Sequence, residues 1–160
     1  MTARSGIGID VHGFSDDEGR ALVLGGVTFE GERGLAGHSD ADVVAHAICD
    51  AMLGAAGLGD IGMHFPDTDE RWRGADSLVL LAEVASRVRT AGYRLVNADC
   101  TVIAERPRIV VAREEMIAKL SAAAGGPVHV KATRPEGLGS LGRVEGIGCW
   151  AVASIEEVGL

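Results

Sequence analysis

The stretch GIGIDVH, residues 6–12, alternates without a break. Successive side chains of an extended chain leave on opposite faces, so Ile7, Ile9 and Val11 share one face while Gly8, Asp10 and His12 share the other. This predicts a strand with one apolar face and one face of small and polar residues.

Outward from this strand the pattern is mixed. Residues 21–29 form a short apolar stretch broken by Gly25-Gly26, which reads as a bent strand or hairpin. Ser39 opens a helix signature with Asp42 three residues on, as in a capping box, and an apolar run reaches Ala56 before a Gly57 stop. Residues 57–74, GLGDIGMHFPDTDERWRG, are rich in turn formers and read as a functional loop. Helices are expected over 75–91 and 109–124, and strands over 95–104, 128–132 and 147–156. The order predicts an α+β domain with one mixed or antiparallel sheet and helices on one face. The uncovered face is expected to pack in a symmetric oligomer.

Composition narrows the classes. Of 160 residues, 23 are glycine and only four proline, with 47% hydrophobic residues and no G-X-Y period, which excludes collagen-like and disordered chains. One domain over 1–160 is expected at this length. A net charge of −8 argues against nucleic-acid partners. Cys49, Cys100 and Cys149 are odd in number and far apart, which suggests neither a disulfide framework nor a cysteine zinc site and fits a reducing cytoplasm. No apolar signal core and no run of about 20 apolar residues is present, so a soluble chain without membrane association is expected.

Four groups of residues could carry chemistry. Asp10 and His12 leave the same strand face side by side, and with His46 from the following helix they would supply three ligands with a fourth position open, as catalytic zinc prefers. Taken singly, each also reads as a solvated polar residue. His38 and Ser39 stand at the expected helix N-terminus, where an anion is favoured, or form an exposed turn before a cap. Asp60, Asp67 and Asp69 crowd the long loop, as acceptors for a polyhydroxylated ligand or as a solvated acidic loop. Gly137, Gly139 and Gly142 spell G-x-G-x-x-G, yet a further strand follows where a dinucleotide fingerprint needs a helix, which argues against a dinucleotide fold. The loop could still form an anion nest, with Glu136 beside it to hold a divalent cation.

Read together, GIDVHGF, GHSDADVVAHAICDAMLGAAGLGDIG, FPDTD, GADS, VIAERP, KAT and GRVEGI resemble the 2-C-methyl-D-erythritol 2,4-cyclodiphosphate synthase family over essentially the whole chain. The resemblance implies a homotrimer with active sites between subunits. It implies cyclisation of 4-diphosphocytidyl-2-C-methyl-D-erythritol 2-phosphate, with release of CMP, in non-mevalonate isoprenoid synthesis. By the same resemblance Asp10, His12 and His46 would ligate one Zn²⁺ per site, and Asp10 and His12 would also border the substrate. His38 and Ser39 would contact the methylerythritol phosphate, with His38 stabilising the transition state. Asp60, Ile61 and Gly62, with Phe65, Pro66, Asp67, Thr68 and Asp69, would hold the polyol. Residues 104–110, including Ala104, Pro107 and Arg108, would form the cytidine pocket. Thr133 and Arg134 would face phosphate, and Glu136 would hold Mg²⁺ or Mn²⁺ between the substrate phosphates. Ser140 and Arg143 would complete the substrate contacts. The family's phosphate loop reads T-T-T-E-K-L-G-F. Here Arg134 replaces a threonine assigned to transition-state stabilisation, and Ser140 replaces an aromatic beside a cavity on the trimer axis. These departures leave a non-catalytic, metal- and nucleotide-binding trimer as the alternative.

Overall fold

The computed structural model describes residues 2–159. Strand β1 (Ala3–Gly13) pairs antiparallel with β6 (Gly146–Glu157), which pairs antiparallel with β4 (Tyr93–Ile103). β4 runs parallel to β5 (Val128–Thr133), giving the order β1-β6-β4-β5. Two antiparallel steps restore direction, so β1, β4 and β5 all end at the same edge of the sheet. That edge receives Asp10, His12, Ala104 and Thr133. The fold is α+β with a mixed sheet.

The expected single sheet is accompanied by a separate ribbon. Residues 22–29 form a hairpin of β2 (Leu22–Leu24) and β3 (Val27–Phe29), which joins no other strand. Gly25 and Gly26 turn it with φ of 58° and 74°, the left-handed values a two-residue hairpin loop requires. Its inward residues Leu22, Leu24, Val27 and Phe29 are buried in the core.

Helix α1 (Val43–Ala56) is the centre of the core, with eleven of its 14 residues buried. It lies over β1, β6 and β4, while α4 (Arg113–Ala124) covers β5 and α3 (Ser77–Thr90) packs on both helices. Gly57 ends α1 in the left-handed conformation, as expected. The start differs from the capping box expected at Ser39. Asp42 is the cap: its Oδ1 accepts from the N–H of Val44 at 3.0 Å and Ala45 at 3.2 Å. The same carboxylate accepts from Gly25 and Gly26 in the hairpin turn at 2.8 and 2.7 Å. One buried acid thus closes both a helix and a turn, which Ser39 cannot do.

Two further boundaries shift. The β-branched run Ile109-Val110-Val111 takes a 3-10 turn before α4 instead of beginning it. The segment 57–74 contains a short helix α2 (Ile61–His64), capped by Asp60, and a 3-10 turn (Glu70–Trp72), capped by Asp69. A last short helix, α5 (Gly139–Gly142), interrupts the glycine-rich loop before β6. Among the described residues no helix is long and apolar enough to cross a membrane.

The sheet face away from the helices carries Ile7, Ile9, Val11, Trp150 and Val152, all exposed. Ile7 pairs with Val152 and Ile9 with Trp150 across the β1–β6 ladder, so these side chains form one apolar patch.

Candidate active site

β1 aims Asp10 and His12 toward the helices, and the close seat of α1 on β1 brings His46 to them. Asp10 Oδ2 lies 3.2 Å from His12 Nε2 and 3.1 Å from His46 Nδ1. One ligand atom from each of the three residues falls within a 4.8 Å cluster, the sole such group of three among the described residues. His12 Nδ1 stands 2.5 Å from the carbonyl oxygen of Ala36, so an Nδ1–H donates there and Nε2 faces the cluster. Burial opposes ionisation of Asp10, but its close contacts with the His12 and His46 rings outweigh it and hold this carboxyl well below the usual range. The bond to Asp10 raises the His12 imidazole above its ordinary value, against the opposing effect of burial. One carboxylate and two imidazoles with room for a further ligand are a donor set suited to a divalent transition metal.

These residues open onto a cavity of about 300 Å³. Of the sequence-predicted residues, His38, Ser39, Ile61, Gly62, Phe65 and Asp67 line it together with the three cluster residues. Asp60, Pro66, Thr68 and Asp69 do not. Asp60 is engaged in capping α2, and Asp69 caps the 3-10 turn and pairs with Arg71 at 2.6 Å. The helix N-terminus expected behind His38 and Ser39 begins at Val43, and its N–H groups at Val44 and Ala45 are taken by Asp42. His38 instead places Nε2 3.1 Å from the Asp69 carbonyl oxygen. Asp50 accepts from the Ile61 N–H at 2.7 Å and so fixes the loop to α1. Trp72 and Leu80 also line the cavity, Trp72 packing edge-on against Phe65 with centroids 5.0 Å apart. Sequence reasoning missed both, although an indole in so polar a loop was a signal of a packed wall.

A second cavity of about 400 Å³ is lined by Ala104, Pro107, Arg108, Thr133, Arg134 and Glu136. Arg134 is folded onto Glu105, with Nε and Nη2 at 3.0 and 2.9 Å from Oε2. The other oxygen of Glu105 accepts from the Gly137 N–H at 2.7 Å, so this side chain holds both ends of the loop. Ser140 lines a smaller recess with Val11, His12 and Gly13, and Arg143 pairs with Glu145 at 2.6 Å.

These two cavities share no lining residue. Both lie at the edge where β1, β4 and β5 end, but β1 and β5 are the outer strands. Three strand spacings separate them, about 14 Å.

Residues 3–156 match the YgbB family. The chain is 58% identical over 156 residues to the bifunctional enzyme IspD/IspF of Anaeromyxobacter sp. (strain Fw109-5), covering 96% of this chain and 40% of that one. It thus spans about two fifths of the length of that relative. It is 57% identical to the 2-C-methyl-D-erythritol 2,4-cyclodiphosphate synthase of Rubrobacter xylanophilus, over 96% of this chain and 95% of that one. Among solved structures, Plasmodium falciparum IspF in a CDP complex superposes with a TM-score of 0.84 at 31% identity, over 98% of this chain and 97% of that one. Matched over nearly its whole length and more than half identical to such relatives, the chain belongs to the YgbB family.

Proposed function

We propose that this chain is a cyclodiphosphate synthase, a phosphorus–oxygen lyase of non-mevalonate isoprenoid synthesis. It converts 4-diphosphocytidyl-2-C-methyl-D-erythritol 2-phosphate to 2-C-methyl-D-erythritol 2,4-cyclodiphosphate. An oxygen of the 2-phosphate attacks the β-phosphorus, the bond from that phosphorus to the bridging oxygen breaks, and CMP leaves with that oxygen. The observation that carries this reading is the Asp10–His12–His46 cluster opening onto the cavity walled by His38, Ser39 and the 61–67 segment.

Asp10, His12 and His46 would hold one Zn²⁺, which when bound supplies positive charge to a substrate phosphate. His38 and Ser39 would bind the methylerythritol phosphate, and His38 would steady the charge that develops as the ring closes. Asp60 and the segment 61–69 would hold the polyol. Backbone groups of 104–110, with Pro107 and Arg108, would cradle the cytidine, and Thr133, Arg134, Ser140 and Arg143 would border the phosphates. Glu136 lines the second cavity and offers a single carboxylate. That suits Mg²⁺ or Mn²⁺, which keeps waters and takes its other ligands from substrate phosphates. No protein nucleophile is needed, and the residues act by alignment and electrostatics.

Residues 1–160 form one such domain in this reading, and it works as a homotrimer. The apolar patch of Ile7, Ile9, Val11, Trp150 and Val152 would be covered by its copies. The cavity at β1 of one subunit would then face the nucleotide cavity of its neighbour, which removes the separation seen within one chain. Three free, buried thiols accord with a cytoplasmic location.

Turnover of the diphosphocytidyl substrate with Zn²⁺ and Mg²⁺, followed by phosphorus NMR, tests the proposal. Cyclodiphosphate and CMP are expected; no CMP, or an open-chain diphosphate, would overturn it.

A further inference from the structure

The GADS segment, residues 74–77, enters none of the roles above, yet it reaches the metal cluster from behind. Ser77, the first residue of α3, is fully buried and places its Oγ 2.8 Å from Nε2 of His46. The same hydroxyl is hydrogen-bonded to Oδ1 of Asp40. The Ser77 N–H donates to Oδ2 of Asp40 at 3.0 Å, so the carboxylate grips this residue by both side chain and backbone. Asp40 is itself anchored, its N–H donating to the Ala75 carbonyl at 3.1 Å and its Oδ1 accepting from the Asp42 N–H at 3.1 Å.

The direction of the chain of hydrogen bonds follows from counting protons. A carboxylate only accepts and a serine hydroxyl has one proton, so the proton of Ser77 points to Asp40. Only lone pairs remain toward His46, and Nε2 of that ring must donate. A neutral imidazole with its proton on Nε2 has its lone pair on Nδ1, the atom 3.1 Å from Asp10 and turned into the cluster, so the pull of Ser77 on the ring proton opposes that of the Asp10 carboxylate until a cation takes the place between them. Ser39 Oγ, at 3.3 Å from Nε2, accepts from the Ala41 N–H and is the longer of the two contacts. His12 is set in the complementary sense, with Nδ1–H on Ala36 and Nε2 inward.

We propose that Ser77 and Asp40 are positioning residues for metal binding: their hydrogen bonds lock His46 in the Nε2–H tautomer and so present Nδ1 to the cation. The proposal rests on the metal reading of Asp10, His12 and His46. Partners of metal-bound histidines of this kind typically change affinity by about 10- to 100-fold when removed.

Long-range nitrogen–proton NMR on the metal-free wild type reads the tautomer directly, and chelator competition reads zinc affinity. Nε2–H on His46 is expected in the wild type. In Ser77→Ala the tautomer should shift toward Nδ1–H and the zinc Kd should rise by about 10- to 100-fold. Ser77→Thr, which retains the hydroxyl, should recover the tautomer, while His12 serves as an internal control for folding. Nδ1–H on His46 in the wild type overturns the proposal without any variant, as does an unchanged tautomer and affinity in folded Ser77→Ala. A wild type that shows Nε2–H but takes up no zinc overturns the metal reading and, with it, this use of the lock.

Discussion

Gly8 of β1 and Ala47 of α1 meet backbone to backbone: a Cβ on Gly8 would stand 1.9 Å from the Ala47 carbonyl oxygen. Gly6 meets Ala51 in the same way at 2.2 Å. No rotamer change relieves such a clash, because the obstacle is backbone. The contact sets the depth at which α1 lies on the strand, and with it the 3.1 Å approach of His46 to Asp10. Gly8→Ala should therefore cost about 3 kcal/mol, the upper end for overpacking, and reduce metal uptake as well. Urea unfolding with parallel zinc titration checks both; a loss below about 0.5 kcal/mol would mean the helix is free to move.

Protons and metal compete for the same atoms. The bond to Asp10 raises His12 above its ordinary 6.5, so its contribution to the metal-free fold is full below that value and is lost as pH rises through the raised one. Asp10, depressed by the two histidines despite its burial, contributes above its ordinary 3.8, and this is lost as pH falls toward the lowered value. The metal-free protein is thus helped by the pair between these limits, in the mildly acidic range. Metal needs His12 neutral, so zinc affinity should fall about tenfold per pH unit below the raised His12 value and level off above it. Titrations across the mildly acidic to neutral range read this slope, and a flat profile would remove His12 from the ligand set.

Most of the fold could be read where the signal is local. The alternation of residues 6–12 gives the strand and its two faces, and Gly57 gives the end of α1. The local pattern places the start of α1 three residues early, at Ser39, because Ser39 and Asp42 are both good caps. The deciding contacts run from Asp42 to Gly25 and Gly26, 17 and 16 residues away, and no local pattern encodes them. The candidate site divides along the same line. Asp10 and His12 are joined by strand spacing, whereas the link from His46 to Ser77 spans 31 residues and that from Arg134 to Glu105 spans 29.

Glu105 ties the phosphate loop together. Its two oxygens take the Gly137 N–H and the Arg134 guanidinium, and these bonds, the first most strongly, lower its pKa. Glu105→Ala would leave the loop without either tie and free Arg134 to swing away from the second cavity. CDP affinity should weaken by about tenfold, with the unfolding midpoint nearly unchanged because Arg134 and Gly137 are at the surface. Calorimetric titration of wild type and variant decides it. Equal affinities would show that the loop is held by its own backbone.

The apolar sheet face offers the last test, because it separates folding from assembly. Val152 is 49% exposed on the isolated chain, opposite Ile7 on β1 and Asp99 on β4. An acid there is solvated in the monomer and costs the fold little, about 0.5 kcal/mol or less. In a trimer closed over this face the same acid would be buried beside Asp99, which already engages Lys131, so a second carboxylate would be left unpaired at a cost of several kcal/mol per subunit. Val152→Asp should therefore sediment at the 16.5 kDa of one chain, while the wild type sediments at about three times that mass. Activity should disappear with the trimer, since the metal and nucleotide cavities would be supplied by different subunits. An active monomeric variant would show that one chain spans the 14 Å between the outer strands unaided, and a variant that stays trimeric would place the interface on another face.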